Sequence, residues 1–222
     1  MNAGLLNPVV ELVSYIAAAL LAYLLGSIPT GYLVGLARGV DVRTVGSGNI
    51  GATNVFRTLG QRAGIFVLVI DGLKGYAACA WVSDLLMHWF AAARPDEDYL
   101  RISSGLFAIV GHNFTCWLYF KGGKGIATTA GVLAALFWPV FFTALSTWII
   151  VLLVSRYVSL GSIAAAASLP IAAVVFKYPP AMISVAAAMG GLALWKHKPN
   201  IARLIAGTES RFSFKKNPEP PQ

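Results

Sequence analysis

The chain has 222 residues, of which 57% are hydrophobic and only 12% are charged. A mean hydropathy of +0.70 excludes an ordinary soluble domain and indicates an integral membrane protein. The net charge of +8 fits loops that set orientation and meet anionic headgroups better than it fits nucleic acid binding. Cys79 and Cys116 lie within apolar runs, so neither a disulfide nor a metal site is expected. No Lys or Arg precedes the first run, which argues against a cleavable signal peptide.

The first apolar run extends from Leu12 to Ala37, long enough to cross a bilayer. It is interrupted near its end by the sequence GSIPTG, residues 26–31. A break at membrane depth is tolerated only where the freed backbone is buried in protein or lines a polar cavity. We therefore expect this segment to border such a cavity.

A glycine-rich stretch, GSGNIGATN, follows from Gly46 to Asn54 and is flanked by Arg43 and Arg57. Glycines allow positive φ angles and close approach, so consecutive N–H groups can converge into an anion-binding nest. The stretch also satisfies G-x-G-x-x-G, which alone is a weak match to a dinucleotide-binding fingerprint. At this point a plain glycine-rich turn is an equally good interpretation.

The second span runs from Ala63 to about Met87 and contains Asp71 and Lys74. Their i,i+3 spacing places them on one helix face, where they can pair. Charges inside a membrane face the bundle interior, as a strut or as part of a site, and we favour the strut. An acidic loop, Arg94 to Arg101, comes next.

The third run, Ile102 to Phe120, contains His112, which is more typical of a packed core histidine than of a ligand. A second basic turn, KGGKG at residues 121–125, precedes an uncharged run from Gly125 to Ser155. If this run is two helices that meet at residues 137–139, most of the 17 basic residues share one face. The positive-inside rule therefore favours two helices.

The last two runs are Tyr157 to Phe176 and Tyr178 to Trp195. We thus predict an all-α integral membrane protein with seven transmembrane helices, an external N-terminus and a cytoplasmic C-terminus. Residues 1–212 are expected to form a single polytopic domain, and 213–222 a disordered cytoplasmic tail.

In this topology the polar clusters around Ser47, Lys124 and His197 all lie on the cytoplasmic face. Their candidate cations, which together suit one or more phosphate groups, are Arg43, Arg57, Lys121, Lys124, Lys198 and Arg203. A Rossmann site needs a βαβ unit, and a P-loop needs Ser or Thr after its Gly-Lys pair, so both are excluded. No cofactor and no metal are predicted.

Three long motifs occur in order between about Leu25 and Glu209: GSIPTG with GSGNIGATNVFRTLG, then GHNFTCWLYFKGGKGIATT, then HKPNIARLIAGTE. With them the chain closely resembles the bacterial acyl-phosphate glycerol-3-phosphate acyltransferases, the PlsY family. The resemblance implies transfer of an acyl group from acyl phosphate to the 1-hydroxyl of sn-glycerol 3-phosphate. The products would be lysophosphatidic acid and inorganic phosphate, in the first acylation step of bacterial phospholipid synthesis. Also implied are the bacterial inner membrane, its lipids, and the soluble enzyme that makes acyl phosphate as a partner.

The resemblance also implies roles for individual residues. The backbone that holds acyl phosphate would come from Asn49, Ile50, Gly51, Ala52, Thr53 and Asn54. Glycerol 3-phosphate would be held by Ser47, Arg57, Lys124, Ser162, His197 and Asn200, with Ser47, Arg57, His197 and Asn200 as the catalytic set. Glu209 would be a structural partner.

Two questions stay open at the level of sequence. The proton of the attacking hydroxyl could pass to His197 or to a phosphate oxygen of the donor, since geometry must decide before pKa does. The competing functional class is a transporter of phosphate-bearing solutes, which also uses broken helices. Transporter sites, however, lie near the membrane midplane between repeats, and the sequence shows no repeat.

Overall fold

The computed structural model describes residues 3–91 and 95–212, and within these ranges every regular element is helical. The expected all-α class is therefore confirmed. A π-helical turn, Ala78–Val82, follows α4, and a short 3-10 turn, Cys116–Leu118, follows α6. The α-helices in the described ranges are α1 (Ala3–Ser27), α2 (Thr30–Leu36), α3 (Ala52–Leu59), α4 (Gln61–Ala77), α5 (Ser83–Trp89), α6 (Glu97–Asn113), α7 (Ile126–Leu136), α8 (Trp138–Ser155), α9 (Val158–Val175), α10 (Pro180–Lys196) and α11 (Lys198–Ile205).

Four helical segments are long and apolar enough to cross a membrane: Pro8–Leu36, Gln61–Trp89, Trp138–Ser155 and Val158–Val175. The helices α7 and α10 are also apolar but shorter, and α6 carries the third apolar run of the sequence. Large side chains on these segments are exposed, for example Ile150 and Leu153 at 61% each, as expected of a surface that faces lipid. The predicted tail, residues 213–222, lies outside the described residues.

The described residues form two compact units, divided between Phe141 and Phe142. In the first unit, helices approach closely where glycine replaces a side chain. A Cβ on Gly26 would overlap the carbonyl oxygen of Ala108 in α6, and one on Gly75 would overlap that of Thr128 in α7. Close backbone approach through small residues is the usual way in which helices associate inside membranes.

The long uncharged run is two helices, as the charge pattern predicted. The helix α7 ends at Leu136, Phe137 leaves the helical conformation with φ −141° and ψ 64°, and α8 begins at Trp138. Pro139 explains the break, because its ring would clash with the carbonyl four residues earlier if α7 continued. The side chain of Phe137 is fully buried, so the junction is a packed part of the fold.

The second unit is built around α9 and α10. The missing side chain of Gly190 allows its backbone to pack against the carbonyl oxygen of Ala166, which would lie 2.5 Å from a Cβ there. After α11 the chain reverses at Gly207, where φ is +69°. It then returns to the start of α9, where the N–H of Phe212 donates to the carbonyl of Arg156 at 2.6 Å. This return places the third motif against the first turn of α9.

Two neighbouring glycines of α4 provide a test of this packing. Gly75→Ala should destabilise the protein by about 1–3 kcal/mol, because the added methyl group meets backbone that cannot move away. The matched change Gly72→Ala places a Cβ 3.6 Å from the carbonyl oxygen of Ala127, an ordinary contact. It should be neutral or stabilising by up to about 1 kcal/mol, the helix propensity gain. Thermal unfolding in detergent measures both, and equal midpoints would contradict the packing described.

Candidate active site

The glycine-rich stretch is a loop whose shape is fixed by one buried side chain, that of Asn54. Its Oδ1 accepts from the N–H of Ser47 at 2.8 Å, and its Nδ2 donates to the carbonyls of Val42 at 2.9 Å and Val45 at 3.2 Å. Gly46 and Gly48 adopt φ angles of +60° and +68°, a conformation that costs little only for glycine. The loop is therefore fixed in shape before any ligand binds.

The loop leads directly into the N-terminus of α3. Asn49 Oδ1 accepts from the N–H of Gly51 at 2.9 Å. The backbone N–H of Asn54 donates the first hydrogen bond of the helix, to the carbonyl of Gly51. The N–H groups of Ala52 and Thr53 therefore precede the helical hydrogen-bond ladder, at the positive end of the helix dipole. A loop of this kind, which opens a helix, suits an anion such as phosphate.

Three polar side chains lie in or beside this loop. Ser47 and Arg57 are exposed. Arg43 forms an ion pair with Asp41 at 2.6 Å and lies 4.5 Å over the ring of Tyr32. The hydrogen bond from Arg43 holds the pKa of Asp41 below its usual range. Of the cations expected in this cluster, Arg43 is therefore already matched by a carboxylate.

In the second motif, the basic turn at residues 121–125 is hydrogen-bonded to the end of α6. The N–H of Gly122 donates to the carbonyl of Asn113 at 3.2 Å, and that of Gly123 donates to the carbonyl of His112 at 3.0 Å. Gly125 has a φ of +80° and starts α7. The half-buried Lys124 stands between these anchored glycines, so its backbone position is fixed.

The charged pair of the second span forms the ion pair that its spacing predicted. Lys74 Nζ lies 2.8 Å from Asp71 Oδ1, and both side chains are buried. Lys74 also donates to the carbonyl of Ile28 at 2.9 Å, and Thr30 donates to Asp71 Oδ1 at 2.9 Å. These bonds provide partners for the carbonyl of Ile28 and the hydroxyl of Thr30 at the GSIPTG break. Buried polar side chains therefore contact the break, and the polar cavity expected beside it stays a prediction.

In the second unit, His197 joins α10 to α11 and is buried. Its Nδ1 lies 2.8 Å from the carbonyl oxygen of Ala193. A carbonyl can only accept, so Nδ1 carries the hydrogen of this bond, and Nε2 holds the lone pair whenever the ring is neutral. The bond holds the ring in one orientation.

Glu209 organises the rest of the third motif, as expected of a structural partner. Its Oε1 accepts from Ser159 at 2.7 Å and from Asn200 at 2.9 Å, and its Oε2 accepts from Arg203 at 2.7 Å. Burial of this carboxylate raises its pKa, but the three donors outweigh that effect and lower the pKa below its ordinary value. Arg203, a candidate cation, is therefore committed to Glu209.

Ser162 lies one turn after Ser159 on α9 and is also buried. Its hydroxyl donates to the carbonyl of Val158 at 3.0 Å and accepts from Trp148 Nε1 at 3.2 Å. Sequence reasoning missed both Ser159 and Trp148. The i,i+3 spacing of the two serines was an available signal for Ser159, whereas the sequence offered none for Trp148.

The predicted site residues thus fall into two groups. The first unit brings Ser47, Arg57 and the segment from Asn49 to Asn54 into one loop and helix, and it holds Lys124 on a separate anchored turn. The second unit brings Asn200 into the Glu209 cluster, with His197 directly before α11 and Ser162 on α9. Asn54 is buried, and its side chain is used to shape the loop. The roles assigned to these residues stay predictions.

Apolar helices with polar, glycine-anchored turns define the chain as a multi-helix integral membrane protein with sites suited to anionic ligands. Residues 16–207 match the model of the family "Glycerol-3-phosphate acyltransferase". The chain belongs to this family, which confirms the resemblance seen in the motifs.

Individual relatives agree with this assignment. A glycerol-3-phosphate acyltransferase of Trichlorobacter lovleyi is 45% identical over 86% of this chain and 94% of its own length. One of Rhodospirillum rubrum is 46% identical over 91% of this chain and 93% of its own. Two crystal structures of PlsY (YgiH), in a glycerol 3-phosphate form and a lysophosphatidic acid form, are each 38% identical. Each matches 90% of this chain and 96% of that chain, with TM-scores of 0.80 and 0.77.

The Glu209 cluster predicts how stability depends on pH. The folded-state pKa of Glu209 is lowered from its ordinary value of 4.5. Its stabilising effect is therefore complete above that value and is lost as the pH falls through the folded-state pKa. Glu209→Gln, which does not titrate, should cost about 1–3 kcal/mol at pH 7, since it removes hydrogen bonds to a charged acceptor.

Thermal unfolding in detergent at pH 7 and at steps below pH 4.5 measures this difference. The difference in thermal midpoint between wild type and Glu209→Gln should become smaller as the pH falls. Asp41→Asn, at an exposed ion pair, is the control and should leave the thermal midpoint close to that of wild type at every pH. A gap that widens in acid would contradict the assignment.

Proposed function

We propose that this protein transfers an acyl group from acyl phosphate to the 1-hydroxyl of sn-glycerol 3-phosphate. The products are lysophosphatidic acid and inorganic phosphate, and the reaction is the first acylation of bacterial phospholipid synthesis. The observation that carries the proposal is the glycine-rich loop, pre-shaped by Asn54 and leading into α3 between Ser47 and Arg57. A phosphate leaving group is the species that such a loop would stabilise.

The proposed topology has seven spans, an external N-terminus, and an active site on the cytoplasmic side of the bacterial inner membrane. The segment of residues 49–54 holds the phosphate of the donor, chiefly through the N–H groups of Ala52 and Thr53, which precede the hydrogen-bond ladder of α3. By resemblance, glycerol 3-phosphate is bound by Ser47, Arg57, Lys124, Ser162, His197 and Asn200. Membrane lipids surround the helices, and the soluble enzyme that makes acyl phosphate is the partner that supplies the donor.

In the chemical step, the 1-hydroxyl oxygen of glycerol 3-phosphate attacks the acyl carbonyl carbon. The new ester bond forms, the bond from that carbon to the phosphate oxygen breaks, and phosphate leaves. No covalent intermediate on the protein is needed, because the acyl group arrives already activated. Positioning and stabilisation of charge on the departing phosphate supply the catalysis.

The hydroxyl proton passes to an oxygen of the departing phosphate, which gains basicity as its bond to carbon breaks. The surroundings of His197 support this route over transfer to the imidazole. The side chain is buried, and Nδ1 donates to a neutral carbonyl, that of Ala193. Burial disfavours the charged imidazolium that a general base would become. We therefore assign His197 to orientation of the acceptor substrate through Nε2.

Purified protein should release phosphate only when acyl phosphate and glycerol 3-phosphate are both present. Acyl coenzyme A in place of acyl phosphate should give no product, and chromatography against the 1-acyl and 2-acyl standards should show the 1-acyl isomer. Product from acyl coenzyme A alone would overturn the proposed donor. Glycerol 3-phosphate uptake into vesicles without acyl transfer would favour the transporter class.

Two glycines with the same backbone conformation give matched variants for this assay. Gly48 and Gly39 have φ angles of +68° and +70°, but a Cβ on Gly39 meets no atom within 4 Å. Both changes to Ala carry a backbone cost of about 1–2 kcal/mol. Only Gly48→Ala alters the loop, so it should lose most acyl transfer while Gly39→Ala keeps it. Equal activities would remove the loop from the mechanism.

His197→Ala tests the assignment of the proton. If His197 orients the substrate, the Michaelis constant for glycerol 3-phosphate should rise, while the single-turnover rate at saturation falls less than about tenfold. A general base is worth about 100- to 10,000-fold. A loss of that size at saturation, with unchanged substrate affinity, would instead make His197 the base.

A further inference from the structure

We propose that Asp71 is a positioning residue which fixes the glycine-rich loop and the turn before Lys124 relative to each other. This inference rests on the proposed function, because it assigns phosphate binding to both segments. It gives the buried polar cluster of the first unit, Thr30, Asp71, Lys74 and His112, a role beyond closing the helix break.

Three contacts of the cluster converge on one atom, Asp71 Oδ1. Thr30 Oγ1 donates to it at 2.9 Å, and Lys74 Nζ lies 2.8 Å away. His112 Nδ1 is 3.7 Å from the same oxygen, a close packing contact that is too long for a direct hydrogen bond. Asp71 on α4 thus contacts the start of α2 and the end of α6.

One arm of the cluster leads to the glycine-rich loop. Thr30 is the first residue of α2, and Gly31 follows it. A Cβ on Gly31 would overlap the carbonyl oxygen of Ile50, so the first turn of α2 rests directly on this residue of the loop. Ile50 is buried and cannot move away into solvent. A shift in Thr30 would therefore be transmitted to the backbone that precedes Gly51.

The other arm leads to the turn before Lys124. The carbonyl of His112 accepts from the N–H of Gly123 at 3.0 Å. The imidazole also packs against the same glycine, because a Cβ on Gly123 would overlap Nε2 of His112. The position of the His112 ring therefore sets the position of the residue directly before Lys124.

Thr30 allows this inference to be separated from a purely structural role. Replacing Asp71 itself leaves Lys74 buried without its carboxylate, which affects folding as well as geometry. Thr30→Val keeps the ion pair and the side-chain volume but removes the hydroxyl that connects α2 to Asp71. Thr30→Ser keeps the hydroxyl and is the conservative control.

We expect Thr30→Val to lower kcat/KM for acyl transfer by about tenfold or more per folded molecule, since sub-ångström displacement of binding groups is costly to catalysis. Its affinity for glycerol 3-phosphate, measured by calorimetry, should fall as well. Thr30→Ser should keep both the kcat/KM and the affinity of the wild type. A lower thermal midpoint with normal kcat/KM per folded molecule would overturn the inference. Thr30→Ala removes the same hydroxyl and replaces the valine variant if that one does not fold.

A double-mutant comparison tests whether Thr30 acts through Asp71. Thr30→Val combined with Asp71→Ala should lose no more kcat/KM than Asp71→Ala alone, because alanine removes the oxygen that accepts from Thr30. A loss equal to the product of the two single losses would overturn the inference. Asp84→Asn, which removes the charge of an exposed pair with Arg101, should keep wild-type activity.

The two hypotheses fail in different ways. Absence of turnover in both wild type and Asp84→Asn would overturn the proposed function. Glycerol 3-phosphate affinity would then decide the positioning role, and equal affinities in wild type and Thr30→Val would overturn it. Normal turnover in Thr30→Val beside an active wild type would overturn only the positioning role.

Discussion

The first unit depends on how an apolar environment treats an interrupted helix. Where α1 stops at Ser27, which is fully buried, backbone carbonyls lose their intrahelical donors and need other partners. Lys74 supplies a donor to Ile28, and Thr115 supplies one to Ser27. The break is therefore possible only because α4 and the segment after α6 bring polar side chains to it. That requirement brings the first and second motifs into the same unit.

In each of the three motifs, some polar groups hold the backbone or a neighbouring side chain in place, and others are candidates for binding the substrate. In the first motif the buried Asn54 holds the loop while Ser47 stays exposed, and in the second the carbonyl of His112 anchors the turn beside Lys124. In the third, Glu209 fixes Asn200. Groups that interact with a substrate gain most when they are already in place, so a supporting set for each motif is physically expected.

The fold was largely predictable because its signals are local and strong. Apolar runs predicted the helices, the charge pattern predicted the break at residues 137–139, and i,i+3 spacing predicted the Asp71–Lys74 pair. The support of the site was less predictable. Sequence placed Asn54 among the phosphate-binding residues, and nothing in its neighbours indicated that its amide would fold back onto Val42 and Ser47. Such bonds depend on loop geometry, which periodicity does not encode.

Contacts between residues far apart in the chain were the second feature that the sequence did not predict. Ser159 and Glu209 are separated by 50 residues, and Thr30 and Asp71 by 41. A motif shows that a residue type is present at a position, but it does not show which distant side chain meets it. Glu209 was assigned a structural role only through resemblance, and its partners followed from the reversal of the chain at Gly207.

The buried ion pair is costly to form. Taking Asp71 and Lys74 out of water costs several kcal/mol for each ion, and their attraction roughly offsets this cost. Well-packed apolar residues would hold the helices together at least as well, so helix association alone does not explain the pair. Its distinctive property is direction, because Asp71 Oδ1 is 2.9 Å from Thr30 Oγ1 and 2.8 Å from Lys74 Nζ. Directional bonds fix positions in a way that apolar packing does not, as a positioning role requires.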